Sequence, residues 1–300
     1  MRLGYLTDCT AEECRLAAEL GFDCVEVHGR WEVEQLRKPA FRKREAARIR
    51  EMLRKAGPPK GGLAEARLPH GRPRRPDVSI SAIAVYRAGP FVPAERIELY
   101  RLQIQMCEAL GVPVLTTLTG GDPAKSLDQN LEDFAAVFRE VAPAAADAGV
   151  RIAFENWPGL GLVPPIGTVN FGFTPAVWER MFDAVPGDAL GLEFDPSHLV
   201  WQQIDWLATL RRFAGRVYHV HAKDTEIFAD RLARDGFFSH GWWRYRIPGY
   251  GVVNWHALTS TLKEHGYDGG VCIEHEDPVF SGERRAEGLR KGHDYLRPLM

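Results

Sequence analysis

Residues 191–198 read Gly-Leu-Glu-Phe-Asp-Pro-Ser-His, and they join the end of a predicted strand to two side chains able to do chemistry. Residues 190–194 predict the short strand itself. Pro196 ends it, because the proline ring removes a backbone hydrogen-bond donor. Asp195 is therefore expected at the carboxyl end of the strand, with His198 in the loop that follows. A carboxylate and an imidazole placed there can share a metal ion or a polar substrate.

Seven other stretches also predict strands, and helix signals separate them along the chain. The eight predicted strands cover residues 3–6, 24–28, 79–86, 112–118, 151–156, 190–194, 217–222 and 270–274. Strands that alternate with helices indicate a parallel sheet, and eight such units are what a closed barrel requires. We therefore predict an α/β fold, a single (β/α)8 TIM barrel domain over residues 1–300. An open doubly wound sheet is the alternative, but no GxGxxG follows the first strand.

Cap signals place the ends of several helices. Thr10 begins Thr-Ala-Glu-Glu, a capping box with Glu13 at its third helical position, and Gly21 is expected to end that helix. Pro93 stands where a later helix would start, and Gly111 stands where it would stop. These signals predict helices on both sides of the third strand.

Composition narrows the class of protein. The 300 residues are 45% apolar and 26% charged, as in soluble globular proteins, and the net charge of −2 gives no general attraction to nucleic acid. The five cysteines form no close CxxC pair, which favours free thiols in a reducing cytosol. We expect no signal peptide, because the first residues lack an apolar run, and no membrane span, because no 18-residue apolar segment occurs. The expected location is cytoplasmic.

Two stretches are predicted as long loops. Residues 57–77 are rich in proline, glycine and arginine, which is typical of an irregular segment. That segment is interpreted as a surface insertion, with a cover over the site or an arm to a neighbouring subunit as the alternatives. Residues 225–250 are predicted as a second, aromatic loop.

The alternation of side chains along the last four strands predicts the site. Successive strand residues in a barrel face the lumen and the helices in turn. The predicted lumen-facing pairs are Ala153 and Glu155, Glu193 and Asp195, His219 and His221, and Cys272 and Glu274. Each strand thus brings one side chain able to bind a metal to the carboxyl-terminal rim, where barrel enzymes have their active sites.

Three carboxylates aimed at one small volume would repel one another, and a divalent cation removes that conflict. Two Glu, one Asp and one His form a mixed oxygen and nitrogen shell. Such a shell favours one Mn²⁺ or Mg²⁺ ion, with Co²⁺ and Zn²⁺ as alternatives. The competing interpretation is that each of the four is an isolated polar group paired with Lys or Arg.

Several stretches of the sequence resemble the motifs of a known family. The chain is similar to the xylose isomerase-like barrels, in particular to the sugar phosphate isomerase/epimerase group, which includes ketose 3-epimerases and inosose dehydratases. The matching stretches are Ile-Ala-Phe-Glu-Asn at 152–156, Phe-Asp-Pro-Ser-His at 194–198, His-Val-His-Ala-Lys-Asp at 219–224, Pro-Gly-Tyr-Gly-Val-Val-Asn-Trp at 248–255 and Cys-Ile-Glu-His-Glu at 272–276. Each is short, but their order and spacing together are typical of the family.

The resemblance implies four metal ligands, Glu155, Asp195, His221 and Glu274. It also implies that His198 contacts substrate hydroxyls and that His219 supports the site from deeper in the lumen. The implied chemistry is proton transfer next to a carbonyl through a metal-stabilised enediolate, with Glu155 and Glu274 as base and acid. Return of the proton on the opposite face gives epimerisation, whereas loss of the β-hydroxyl gives dehydration. The ligands alone do not choose between these outcomes.

Three further residues are predicted to contact substrate. Lys223 follows the metal histidine and could instead form a salt bridge at the rim; Trp157 could stack on a sugar face or simply pack; Arg246 lies in the aromatic loop. The chain also departs from ketose 3-epimerases. Their Arg six residues past the metal histidine is Ile227 here, and their Glu six residues past the first ligand is Gly161. A ketose 3-epimerase specificity is therefore in doubt.

The expected partner is a small sugar or cyclitol, and the resemblance implies a homodimer or homotetramer. The alternative activity is an inosose-type dehydratase, or a lyase acting on a keto-sugar or an oxidised glycoside. A DNA repair enzyme of the endonuclease IV type is less favoured, because the histidines of its three-zinc site are missing and the chain is not basic. A non-catalytic sugar-binding barrel is also less favoured, because the quartet is complete.

Overall fold

A computed structural model describes residues 1–58, 77–90, 92–159 and 168–300. Eight parallel strands close into a barrel, as predicted. In order around it they are β1 (Arg2–Thr7), β2 (Cys24–His28), β3 (Ser79–Val85), β4 (Val114–Thr117), β5 (Arg151–Glu155), β6 (Leu190–Phe194), β7 (Val217–His221) and β10 (Gly270–Ile273), which pairs with β1. Two more strands, β8 (Asp224–Ile227) and β9 (Trp243–Arg246), form a separate antiparallel sheet.

Helices connect the barrel strands. They are α1 (Ala11–Leu20), α2 (Val33–Leu36), α3 (Pro39–Ala56), α4 (Pro93–Leu110), α5 (Leu127–Asp147), α6 (Pro175–Ala184), α7 (Pro196–Trp201), α8 (Trp206–Phe213), α9 (Ala229–Asp235), α10 (Trp255–Glu264) and α11 (Arg285–Leu296). The predicted caps are confirmed at both ends of α1: Thr10 and Glu13 form the capping box, and Gly21 has a φ of 83°. Pro93 begins α4 and Gly111 follows it in the left-handed conformation.

The main apolar core lies between the barrel and the helices. Phe154 of β5 is fully buried there, against Phe134 and Phe138 of α5 at ring distances of 5.4 and 4.9 Å. Burial of each such ring contributes roughly 1.5–3 kcal/mol. Small residues close the floor of the lumen: a side chain at Gly4 would place its Cβ 2.6 Å from the carbonyl oxygen of Cys24. This packing leaves the upper lumen free for polar side chains.

The stretch predicted as a loop at about 225–250 is instead largely ordered into β8, α9 and β9. We call residues 224–246 the arm. Its strands are held by cross-strand neighbours that the sequence does not place opposite one another, such as Thr225 with Tyr245 and Glu226 with Arg244. Pairing of this kind between distant residues gives only a weak local signal.

His198 was expected in a loop, and it lies instead in the short helix α7. The same residues that end β6 begin this helix. Asp195 is its N-cap and accepts a hydrogen bond from the Ser197 backbone nitrogen, while Pro196 occupies the first helical position. Proline suits that position because its φ is already helical and its missing N–H is not needed there.

Most of the loop predicted at about 57–77 lies outside the described residues, and so does Gly161. All five cysteines are buried and free of disulfides, as the sequence predicted. Within the described residues, no helix combines the length and the apolar character needed to cross a membrane.

Candidate metal centre

Four barrel strands bring the predicted ligands to one rim. Glu155 and His221 are the last residues of β5 and β7, and Asp195 and Glu274 directly follow β6 and β10. The period-2 alternation of a strand turns all four side chains into the lumen. The Glu155, Asp195 and His221 side chains are at most 6% exposed, and that of Glu274 is 15% exposed. The rim is therefore a largely water-excluded pocket.

The four side chains meet around one atom of His221. Its Nδ1 lies 3.2 Å from Glu155 Oε1, 3.1 Å from Glu274 Oε2 and 3.9 Å from Asp195 Oδ2. The structure thus brings the predicted quartet together, and their role as ligands remains a prediction. No ion is present, so whether these residues suit one has to be judged from their donor atoms.

The donor atoms fit a divalent cation. His221 Nε2 faces Glu26 Oε2 at 3.0 Å, and an ionised carboxylate can only accept a hydrogen bond. With its hydrogen on Nε2, a neutral His221 would offer the Nδ1 lone pair to a cation, whereas in the metal-free protein a proton on Nδ1 takes that place and donates to Glu155. Asp195 Oδ2 is also buried and makes no hydrogen bond of good geometry among the described residues, although the Lys223 ammonium lies 3.1 Å away. Three carboxylates and one imidazole suit Mn²⁺, Mg²⁺, Co²⁺ or Zn²⁺.

Lys223 balances part of this negative charge. Its side chain is 1% exposed, and its Nζ lies 3.1 Å from Asp195 Oδ2 and 3.0 Å from Glu276 Oε2, while also contacting Glu274. Burial opposes a charge on this amine, but the carboxylates outweigh burial and hold the pKa of Lys223 well above its usual value. The salt bridge considered from the sequence is thus present, and a substrate contact stays a prediction.

Glu155 and Glu274 are ionised at neutral pH. Burial and the Glu274 charge oppose ionisation of Glu155, but hydrogen bonds from His198 and His221 lower the pKa of Glu155. Burial also opposes ionisation of Glu274, and Lys223 with His221 more than offsets it, so the pKa of Glu274 lies well below its usual value. Both groups are therefore bases rather than acids before substrate binds.

We call Glu155, Asp195, His198 and Glu274 the rim cluster, and Glu26, Glu193, His219 and His221 the inner cluster; each set offers ligand atoms within 4.8 Å of one another. Glu193 and His219 lie one strand repeat deeper than Asp195 and His221, so the inner cluster reaches the rim only through His221. Uncharged donors satisfy its carboxylates: Thr116 Oγ1 donates to Glu26 Oε1 at 2.6 Å, and the Tyr86 hydroxyl donates to Glu193 Oε2 at 2.9 Å. His219 Nδ1 lies 2.8 Å from Glu193 Oε1, in the supporting place expected for it.

The inner cluster shows strongly shifted pKa values. Burial lowers the pKa of His219 to about 4. Burial opposes ionisation of Glu26, but His219 and His221 lower the pKa of Glu26 to about 2. Burial and the Glu26 charge raise the pKa of Glu193 well above its usual value. Burial alone would lower the pKa of His221, yet Glu193, Glu274 and Glu26 raise it well above its usual value.

Sequence analysis missed Glu26 and Tyr86. Strand alternation along β2 (Cys-Val-Glu-Val-His) places Glu26 inward between Cys24 and His28, so the sequence does carry a signal for it. Tyr86 directly follows β3, at the same rim as the carboxylates. Its position next to Glu193 and His221 depends on barrel closure and has no local signal.

The predicted substrate contacts differ in their placement. His198 lies beside the quartet, with Nε2 3.3 Å from Glu155 Oε1 and 3.4 Å from Asp195 Oδ2. Trp157 lies just beyond β5 and is half-buried. Arg246 is instead committed to ion pairs with Glu226 at 2.6 Å and Asp277 at 2.8 Å, which anchor the arm. A substrate contact by Arg246 would require one of those pairs to open.

Comparisons with known proteins agree with this fold. A family model described as "Xylose isomerase-like TIM barrel" matches residues 14–299. An inosose dehydratase of Glaesserella parasuis serovar 5 (strain SH0165) is 29% identical over 180 residues, covering 57% of this chain and 56% of the relative. The chain thus matches about half the length of that curated relative.

Two solved structures share the fold along nearly the whole chain. A xylose isomerase domain protein from Planctomyces limnophilus has a TM-score of 0.69 at 18% identity, covering 99% of this chain and 96% of that one. A 3-keto-D-glucoside 4-epimerase from E. coli has a TM-score of 0.67 at 16% identity, covering 99% of both chains. At such identities the likeness concerns the fold.

Proposed function

Because the chain belongs to the xylose isomerase-like TIM barrel family, we propose that it is a divalent-metal-dependent sugar or cyclitol isomerase or epimerase. The observation that carries the proposal is the convergence of Glu155, Asp195 and Glu274 on Nδ1 of His221, between 3.1 and 3.9 Å away. A cation held there would supply Lewis-acid polarisation of a substrate carbonyl and its neighbouring hydroxyl. Mn²⁺ or Mg²⁺ is the proposed native ion.

The protein side chains carry the proton transfer. Glu155 and Glu274 are both ionised, so either can remove a proton from the carbon next to the carbonyl. The carboxyl that has gained the proton can return it to the same face. Inversion needs a proton on the second carboxyl: with Glu155 as the base, the Lys223 ammonium in contact with Glu274 can supply that proton, and the proton left on Glu155 balances the one that Lys223 gives up. Burial of the pocket excludes water, which strengthens each hydrogen bond to the negative oxygen that develops. His198 and Lys223 are the proposed donors of those hydrogen bonds, and Trp157 and Arg246 remain weaker candidates for substrate contact.

Dehydration is the second candidate, and the similarity to an inosose dehydratase favours it. It shares the first step, removal of a proton next to a carbonyl. The outcomes diverge when the β-hydroxyl leaves instead of the proton returning. Lys223, whose ammonium is buried within reach of Glu274 and Asp195, is the proposed proton donor to that leaving group. A lyase acting on an oxidised glycoside would use the same steps with a glycosyl leaving group.

Proton exchange separates these activities. We would strip the protein with chelator, reload it with Mn²⁺, Mg²⁺, Co²⁺ or Zn²⁺, and incubate it in D₂O with ketoses, inososes and 3-keto-glucosides. Deuterium entering an isomerised sugar supports the epimerase. Loss of 18 mass units, a water molecule, supports the dehydratase, and release of an aglycone supports the lyase. Chelator-treated protein is the control.

Metal-loaded protein that exchanges no proton on any of these substrates, yet binds them, would contradict an enzymatic role and support the sugar-binding barrel. Cleavage of abasic DNA would support the endonuclease IV type instead. We further propose a cytoplasmic homodimer or homotetramer without nucleic-acid partners. Light scattering of the purified protein tests the subunit number.

A further inference from the structure

A chain of three hydrogen-bonding side chains runs from the arm to the rim cluster. Trp201 Nε1, in α7, lies 3.3 Å from the hydroxyl oxygen of Tyr245 in β9. The same hydroxyl lies 2.8 Å from Nδ1 of His198. An indole N–H can only donate, so the tyrosine oxygen accepts from Trp201, and its own hydrogen remains available to donate to Nδ1 of His198.

This direction determines where a neutral His198 carries its hydrogen. Nδ1 accepts from Tyr245, so the ring hydrogen is on Nε2. Nε2 is the atom that faces the pocket, 3.3 Å from Glu155 Oε1, 3.4 Å from Asp195 Oδ2 and 3.3 Å from Lys223 Nζ, and the two carboxylates are the acceptors for a hydrogen carried there. Its lone pair is then unavailable to a metal ion. His198 therefore offers the pocket one hydrogen-bond donor and no ligand, although its position alone would allow it to be a ligand.

Packing holds Tyr245 in this orientation. The Trp201 and Trp243 rings stack with centroids 4.9 Å apart and planes within 2°, and Trp243 meets Tyr245 edge-on at 4.8 Å. On the pocket side, the Lys223 ammonium lies 4.5 Å from the centre of the Tyr245 ring, a cation–π contact. Trp201 and His198 are buried, with exposures of 5% and 0%. The hydroxyl is thus placed by contacts on both sides of its ring.

We infer that Tyr245 is a positioning residue that holds His198 as a hydrogen-bond donor toward the substrate, so that the group recognised there is an acceptor oxygen. The inference rests on the proposed function for its consequence in catalysis. The recognised group is a carbonyl or negatively charged oxygen, or a hydroxyl that uses its lone pair. Recognition at the rim therefore depends on the arm, which lies outside the eight strands of the barrel.

The test compares Tyr245→Phe with the wild-type protein and with Tyr250→Phe as a matched control. Tyr250 lies just beyond the arm, is 40% exposed and packs on Phe280. Long-range ¹H–¹⁵N spectra of Mg²⁺-loaded protein report which ring nitrogen carries hydrogen, and a His198→Asn variant assigns the signal. We expect Nε2–H in the wild type and in Tyr250→Phe, and a mixture of both tautomers in Tyr245→Phe.

Metal affinity and turnover give two further readouts. Mg²⁺ affinity of Tyr245→Phe, measured by calorimetry, should stay within about twofold, because His198 is not a ligand. On a substrate found by the exchange screen, kcat/KM should fall about 5- to 10-fold, since one net hydrogen bond is loosened. Trp201→Phe, which removes only the outer donor, should shift the tautomer in the same direction but less.

Hydrogen on Nδ1 in the wild type would overturn the inference, and so would an unchanged tautomer in both Tyr245→Phe and Trp201→Phe. A fall in Mg²⁺ affinity for Tyr245→Phe as large as that for a ligand variant would also overturn it. The tautomer is read without substrate. A failure of the proposed function therefore appears as absent proton exchange with Nε2–H intact, whereas a failure of this inference appears in the spectra alone.

Discussion

The rim and inner clusters contain similar residues, but they differ in how fully the protein itself supplies hydrogen-bonding partners to their carboxylates. In the inner cluster, Thr116 and Tyr86 donate to the carboxylates at 2.6 and 2.9 Å, so each charge is met by an uncharged neighbour or a histidine. In the rim cluster, one lysine ammonium is shared between carboxylates, and although it lies 3.1 Å from Asp195 Oδ2, that atom makes no hydrogen bond of good geometry among the described residues. The inner cluster is therefore complete without an ion, whereas the rim cluster is arranged to accept one.

His221 joins the two clusters. Its Nε2 lies 3.0 Å from Glu26 in the inner cluster, and its Nδ1 lies 3.2 Å from Glu155 in the rim cluster. A carboxylate that accepts the hydrogen of one ring nitrogen orients the other and raises its basicity. The number of acidic and histidine side chains therefore does not identify a metal site. A metal site is identified by whether the fold already supplies those side chains with hydrogen-bonding or charged partners.

The largest expected effect is on turnover, from Glu155→Gln in the rim cluster. The amide keeps the shape but cannot take a proton, so activity on a substrate found by the exchange screen should fall about 10²- to 10⁴-fold. The measurement is kcat at saturating metal. Glu45→Gln, at a helical ion pair far from the rim in sequence, is the control and should keep full activity. Equal activity of Glu155→Gln and wild type would remove Glu155 from the chemistry.

Lys223→Met should cost the metal-free protein about 3–5 kcal/mol of unfolding free energy, because it leaves buried carboxylates without their cation. Metal should then stabilise the variant more than the wild type, since no ammonium competes; at one hundred times Kd the gain is about 2.7 kcal/mol. Urea unfolding with and without Mg²⁺ measures both quantities. Lys125→Met, at an exposed pair with Asp133, should change stability by less than about 1 kcal/mol. Similar losses of unfolding free energy in Lys223→Met and Lys125→Met would contradict the expectation that only the buried lysine neutralises buried carboxylates.

Acid should destabilise the metal-free protein through His219. Burial lowers the pKa of this imidazole to about 4 in the folded state, while the unfolded chain binds the proton near 6.5. The unfolded state then holds more protons, so stability falls as pH drops from about 6.5 to about 4, by roughly 3 kcal/mol. His221 has the opposite sign: its raised pKa contributes stability below about 6.5, which is lost as pH rises through the folded-state value.

Urea unfolding of chelated His219→Gln and wild type across that range makes the comparison. The variant should lose less stability on acidification than the wild type, because it has no proton to gain. Parallel curves for the two proteins would show that His219 does not titrate in this way.

The smallest expected effect is on metal affinity, from Glu26→Gln in the inner cluster. Loss of the carboxylate behind His221 should weaken Mn²⁺ binding about 10- to 100-fold. Calorimetric titration measures it. Ser81→Ala is the matched control, because Ser81 contacts His219 Nε2 at 3.1 Å rather than His221, and it should change affinity by less than about threefold. An unchanged Mn²⁺ affinity in Glu26→Gln would show that the inner cluster does not influence metal binding at the rim.

Much of the rim could be predicted because strand alternation is a local property. Strand alternation turns the side chains at the four strand ends into the lumen, and closure of the eight strands brings these ends to the same rim. The residues concerned are Glu155, Asp195, His221 and Glu274. Helix ends were equally readable, since Thr10 and Gly21 satisfy backbone groups a few residues away. The arm was missed because Thr225 and Tyr245, which pair across its two strands, are separated by nineteen residues of intervening chain.

The amino-acid sequence by itself determined the barrel, its caps and the four inward side chains, because each depends on backbone periods and on hydrogen bonds within a few residues. Only the tertiary structure decided that Glu26 and Tyr86 meet His221 across the lumen, that Lys223 pairs with the rim carboxylates and that Tyr245 reaches His198. Those contacts join residues far apart in the chain. Their distances follow from how strands close and how the arm packs, which no local pattern encodes.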